Sequence, residues 1–177
     1  MKVKSIKDQL KEYFFINPTR KLRVREIERE VRIHLPSAIK YSKELERGKI
    51  IKNEVISNIK LYSADRSSKT FLLEKREYNI KALYHSGLIE YLIERYNNPV
   101  IILFGSYGKG EDIESSDIDL YLEISNKNKI DLKQFEKKLN KNIQVFIYRN
   151  IKEVENKELA NNILNGITIN NFVEVFK

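Results

Sequence analysis

The chain has 177 residues, no cysteine, and 33 lysines and arginines against 25 aspartates and glutamates, a formal charge of +8. That length holds one medium domain or two small ones. The missing cysteines exclude a disulfide framework, and with no apolar run of about 18 residues and no signal-like N-terminus, membrane insertion and secretion are not expected and a cytoplasmic location is.

The charge is uneven. Residues 1–80 carry 20 lysines and arginines against 11 carboxylates, a balance of +9, whereas residues 81–177 carry 13 against 14, a balance of −1. This asymmetry predicts two functional units, the first of them meeting a polyanion. In chain order, the amphipathic stretch VKSIKDQLKEYFFINP reads as a helix stopped at Pro18, and LRVREIEREVRI (22–33) as a second. PSAIKYSKELERGK (36–49) reads as a third, with Pro36 in an allowed first turn and Gly48 at its end. IIKNEVI (50–56) and NIKLYSA (58–64) are β-prone runs joined through Ser57 and Asn58, as in a hairpin. Ile39, Leu45, Ile50 and Ile51 are expected to pack inward.

Three helices and a hairpin resemble a winged helix-turn-helix, assigned here to residues 1–66. The resemblance implies a third helix lying in the DNA major groove with Ser37, Lys40, Tyr41 and Lys43 as contacts. Arg47 and Lys49 would stand at its far end and Lys52 or Lys60 in the wing. The same pattern also suits a small helical interaction module whose basic residues are merely solvated. Winged-helix proteins often act as dimers on palindromic sites, so a homodimer is expected.

ADRSSK (64–69) is a polar boundary, after which Leu72, Leu73, Tyr78, Ile80, Leu83, Leu88, Tyr91, Leu92 and Ile93 follow helical spacing. A connecting helix is expected over 67–83, with His85-Ser86-Gly87 as the break before the next. His34 and His85 have no cysteine or second histidine at metal-site spacing.

The most informative segment is LFGSYGKGEDIESSDIDLYLE (103–123). PVIILFGS (99–106) reads as a buried strand entering a tight turn. There Gly105 lets the backbone approach an anion, and Ser106 offers an N–H and a hydroxyl at a helix start. SDIDLYLEI (116–124) alternates as a strand with one buried face, so Asp117 and Asp119 share a face about 6.6 Å apart, within reach of one magnesium ion or of two.

On Gly105, Ser106, Asp117 and Asp119, the chain resembles the DNA polymerase beta-like nucleotidyltransferases, in particular the small members called minimal nucleotidyltransferases, over roughly residues 84–177. The resemblance implies that Asp117 and Asp119 bind magnesium and carry the catalysis. It also implies that Gly105 and Ser106 hold the phosphates of a nucleoside triphosphate, ATP foremost, with Lys109 at a position to touch one. The family's third carboxylate, which helps bind metal and deprotonates the acceptor, falls here on Gln144 in the run NIQVFIY (142–148). An amide accepts no proton at neutral pH and is the weaker magnesium ligand. Glu123 lies about 13 Å along the strand from Asp119, and Glu153 and Glu155 follow the next strand.

Lys129 to Asn142 reads as a lysine-rich surface helix, KELANNILNG (157–166) as a helix ended by Gly166, and ITINNFVEVF (167–176) as a final strand or mixed segment. The expected fold class is therefore α/β of the α+β kind: the N-terminal winged helix-turn-helix, then a small nucleotidyltransferase domain with a mixed β-sheet flanked by helices. Two functions suit this. One is transfer of a nucleoside monophosphate to an acceptor hydroxyl, by resemblance on a protein partner such as the HEPN-type toxin that minimal nucleotidyltransferase antitoxins accompany. The other is a DNA-binding regulator whose degenerate transferase domain binds nucleotide or a partner without catalysis, which Gln144 favours.

Overall fold

The computed structural model describes residues 4–125 and 130–176, and the chain divides into two units, Met1–Tyr78 and Asn79–Lys177. In the first, α1 (Ile6–Ile16) starts where the Ser5 hydroxyl accepts the Asp8 N–H, and buries Leu10, Phe14 and Phe15. α2 (Val24–Val31) is capped by the Glu26 carboxylate, which accepts the Arg23 N–H at 2.7 Å. α3 (Leu35–Arg47) buries Ala38, Ser42 and Leu45. Strands β1 (Ile51–Ile56) and β2 (Ile59–Ala64) pair antiparallel. Ser57 and Asn58 both take left-handed φ, 48° and 62°, the two-residue turn whose twist matches that of the strands it joins. Leu22 adds a bridge to Tyr62 on the other side of β2. Leu45, Ile50 and Ile51 are core residues, each fully buried side chain contributing about 1.5–3 kcal/mol. Ile39 is not among them: it is exposed and lies on the outer face of α3.

The segment read as a connecting helix over 67–83 belongs to α4 (Lys69–Ser86), which runs on to Ser86. The units divide inside it, between Tyr78 and Asn79. Gly87, at φ 80°, then lets the chain turn into α5 (Leu88–Arg95).

The second unit continues with β3 (Val100–Phe104), α6 (Gly105–Lys109), β4 (Ile118–Glu123), α7 (Lys133–Leu139), β5 (Ile143–Tyr148), α8 (Lys157–Leu164) and β6 (Ile167–Asn170). Its four-stranded sheet has the order β5-β4-β3-β6, with β3 antiparallel to β4 and β6, and β4 parallel to β5. This is the mixed sheet with helices expected of the second domain. All five residues of β3 are buried because the strand is covered on both faces. Ile101, Leu103, Leu120 and Leu122 meet Leu88, Leu92 and Phe135 on one face. Ile102, Phe104 and Tyr121 meet Ile151, Val154 and Ile163 on the other.

Two elements differ from expectation. α7 covers only Lys133–Leu139, since Asn140 adopts φ 50° and ends the helix; Lys129 lies outside the described residues. The final strand stops at Asn170, and Asn171 turns the chain at φ 59°. Backbone packs very closely around Leu103. A Cβ on Gly166 would stand 2.8 Å from the Leu103 carbonyl oxygen and 2.6 Å from the Ile102 Cγ2, and one on Gly108 would stand 3.1 Å from that same oxygen.

Candidate functional site

β3 delivers the chain to Gly105 at φ 69°, a region that L side chains rarely adopt. Antiparallel register pairs Phe104 with Asp119. The Asp119 carboxylate therefore lies against the bare backbone of Gly105, where a Cβ would overlap its Oδ2 and stand 3.1 Å from its Cγ. Gly105 and Ser106 open α6, so their N–H groups have no acceptor within the helix and carry partial positive charge. Ser106 is half-buried and Lys109, in the last turn of α6, is exposed.

Asp117 stands one residue ahead of β4 rather than within it. Its Oδ1 accepts the Asn142 side-chain amide at 3.1 Å. Burial pushes the Asp119 carboxyl above its ordinary range, and the Asp117 charge pushes it further the same way. Two hard oxygen ligands that repel each other suit a magnesium ion whose remaining positions are filled by phosphates and water. Among the described residues no group of three or more His, Cys, Asp or Glu could hold a metal ion. A cation held by this pair would take its remaining ligands from elsewhere.

The parallel register of β4 and β5 places Gln144 directly beside Asp119, on the same sheet face and exposed. Glu123 pairs with Val100 at the other end of the strand, and its Oε1 accepts the Ile151 N–H at 3.1 Å. Glu153 accepts the Arg149 N–H at 3.3 Å, within the turn after β5. Glu155 is exposed beyond it. Neither Glu123 nor Glu153 supplies the carboxylate that Gln144 lacks.

Four residues near Asp117 carry no sequence motif. Asn79 donates to the Tyr107 carbonyl at 2.9 Å and to Asp112 at 2.8 Å. Lys141 pairs with Asp112 at 3.4 Å, and Asn142 holds Asp117. A surface helix over 129–142 leaves Lys141 in solvent, yet its side chain is only 13% exposed. The signal available in sequence is the asparagine ahead of it: Asn tolerates the left-handed conformation that ends α7 and turns the next residue inward.

On the first unit, Lys40, Lys43 and Arg47 form an exposed stripe along α3, with Ser37 and Tyr41 half-buried beside it. Among the described residues none of the three cations forms an ion pair. The Lys40 ammonium lies 5.2 Å from the centre of the Tyr41 ring. In the hairpin Lys52 is exposed, and Lys60 is 3.6 Å from Glu46 and over the Tyr62 ring.

A glycine turn thus ends a buried strand of a mixed sheet, closed over by an aspartate of the neighbouring strand. Residues 87–171 match the family model described as Polymerase beta, Nucleotidyltransferase, which supports a nucleotidyltransferase domain in that segment. No curated protein and no solved structure matches the chain. No helix among the described residues is long and apolar enough to cross a membrane.

Proposed function

We propose that the chain is a magnesium-dependent nucleotidyltransferase that moves a nucleoside monophosphate, AMP foremost, from a nucleoside triphosphate to an acceptor hydroxyl on a partner protein, and that its first unit binds DNA. The observation that carries this reading is the Asp119 carboxylate lying against the bare backbone of Gly105. It sets a carboxylate beside the N–H groups that open α6, with Asp117 two residues before it on the same chain segment. Asp117 and Asp119 would hold magnesium, which supplies charge neutralisation on the phosphates as the bond to the leaving group breaks. Gly105 and Ser106 would receive the polyphosphate through N–H groups and the serine hydroxyl, and Lys109 would contact a phosphate from the end of α6.

Gln144 bears on the acceptor. With an amide beside Asp119, the site offers no third carboxylate to take the hydroxyl proton. A phenol, with a pKa of about 10, depends least on such a base, so a tyrosine on the partner is the favoured acceptor. Resemblance to minimal nucleotidyltransferase antitoxins points to a HEPN-domain ribonuclease as that partner, and a homodimer would suit the DNA-binding unit.

The test is transfer of label from α-labelled ATP, then from the other triphosphates, with magnesium, to the product of the adjacent gene or to total cellular protein and RNA. The control carries Asp117→Asn with Asp119→Asn. Label appearing only with the unmutated chain supports the enzyme. The second reading, a DNA-binding regulator with a degenerate transferase domain, rests on the Asp119–Gln144 pairing. It predicts magnesium-dependent ATP binding with no label transferred.

A further inference from the structure

The loop between α6 and β4, residues 110–117, ends at Asp117, and one largely covered cation ties it down. The Lys141 ammonium donates to the carbonyls of Ile113 at 2.7 Å and Ser116 at 3.2 Å, and pairs with Asp112 at 3.4 Å. Two carbonyls thus accept from the ammonium and a carboxylate faces it. The Asp112 side chain is 3% exposed and also accepts from Asn79 at 2.8 Å. A lysine this buried is kept only where it is paired and hydrogen-bonded.

The next residue completes the grip. The Asn142 carbonyl accepts the Ile118 N–H at 2.9 Å while its side-chain amide holds Asp117 Oδ1. The loop also closes on itself, the Ser116 N–H meeting the Ile113 carbonyl and the Ile113 N–H meeting the Ser116 Oγ. Two consecutive residues thus hold the turn before Asp117, its side chain, and the amide just after it.

We infer that Lys141, neutralised by Asp112, is a positioning residue for Asp117 and so for the cation and nucleotide assigned to that carboxylate; this rests on the function proposed above. Each contact has a separate consequence. Binding both carbonyls fixes the backbone from which Asp117 projects. Pairing with Asp112 leaves the buried couple without net charge, so the field at Asp117 and Asp119 stays negative and attractive to a metal ion. Engagement with two carbonyls and Asp112 turns the Lys141 ammonium away from a role as a phosphate ligand, and the same pairing removes Asp112 as a candidate third carboxylate.

The experiment compares the full chain with Lys141→Met, which keeps the stem and removes the charge, and with Asn142→Ala, an exposed change that leaves the core intact. Two readouts are taken: backbone amide hydrogen exchange without ligand, and Mn2+ affinity in the presence of a non-hydrolysable ATP analogue. Lys141→Met is expected to speed exchange at Ser116 and Ile118 while leaving the β3 amides unchanged, and to weaken Mn2+ binding about tenfold or more, the usual effect of removing support behind a metal ligand. Asn142→Ala should weaken Mn2+ binding with Ser116 exchange unchanged. Unchanged exchange at Ser116 and Ile118 in Lys141→Met, or acceleration shared equally by β3, would overturn the inference. So would Mn2+ affinity equal to that of the unmutated chain. An unmutated chain that binds no Mn2+ with nucleotide would instead overturn the proposed function, and the exchange data, which need no ligand, tell the two failures apart.

Discussion

Gly105 and Asp119 occupy a space that admits only one side chain. The aspartate fills it, and a Cβ on residue 105 would overlap the carboxylate. Gly105→Ala is therefore expected to act twice. Its φ of 69° costs a non-glycine residue about 1–2 kcal/mol, and the added methyl displaces Asp119. Urea denaturation should show the first effect and magnesium-dependent ATP titration the second. Nucleotide affinity unchanged by the substitution would remove the geometric basis of the site.

Asp119→Asn should stabilise the ligand-free chain at neutral pH while abolishing its response to nucleotide. The native carboxylate is half-buried and faces Asp117, and both features disfavour its charge. An amide of the same shape removes that penalty, a familiar conflict between stability and function. Thermal melts with and without magnesium and ATP decide the matter: the unmutated chain should melt lower without ligand and rise with it, the variant the reverse of the first and neither of the second.

A pH dependence follows from Glu123, whose carboxyl burial pushes above its ordinary range, partly offset by the hydrogen bond from the Ile151 N–H. A carboxyl raised in the folded state binds protons more tightly there than in the unfolded chain. Its contribution is fully present below the ordinary glutamate range and is lost as pH rises through the raised value. Glu123→Gln should thus match or trail the unmutated chain in acid and gain on it as pH climbs through the carboxylate range, with a plateau above. A stability difference that is flat with pH would contradict the assignment.

Gln144→Asp would restore a carboxylate beside Asp119 in an exposed strand position. If proton removal from the acceptor limits transfer, the rate should rise by about a hundredfold or more. It should rise most for aliphatic hydroxyl acceptors and least for tyrosine. Labelled-nucleotide transfer to serine- and tyrosine-bearing acceptors measures this, and equal gains on both would show that the missing base does not select the acceptor.

On the first unit, Lys40→Ala and Lys43→Ala each remove an exposed cation from the outer stripe of α3. DNA affinity should fall for each, and the slope of log K against log salt should become shallower by about one per lysine that meets a phosphate. Fluorescence anisotropy across a potassium chloride series reads both. Slopes unchanged in the double variant would assign that face to something other than nucleic acid.

The parts of the molecule legible in sequence are those governed by local chemistry. The strand before Gly105 is a continuous apolar run, the strand after Asp117 alternates, and Gln144 sits in a β-prone segment where the family resemblance put the missing carboxylate. Ser57-Asn58 is readable because both residues tolerate left-handed φ. What escaped depends on long-range packing. Ile39 looks like core, but α3 is already satisfied by Ala38, Ser42 and Leu45, one position away on the wheel. Lys141 looks like surface, and nothing near it in the chain announces that Asp112 and two carbonyls wait 25 to 29 residues upstream. Asp117 looks like part of the strand, but the hydrogen bonding that defines β4 begins one residue later.

The crowding around the Leu103 carbonyl places a constraint of a different kind on this domain. The chain has six glycines, and Gly105, Gly108 and Gly166, half of them, converge on the last residues of β3 and the aspartate beside them. Gly108 rests on the Leu103 carbonyl, Gly166 on that carbonyl and the Ile102 side chain, and Gly105 on the Asp119 carboxylate. Divergence of the sequence can therefore exchange many apolar residues of the sheet for others of similar volume, while a side chain at any of these three positions would press on the end of β3 or on the Asp119 carboxylate. Across distant relatives of this chain the glycine framework, more than the identity of the core, should be what persists.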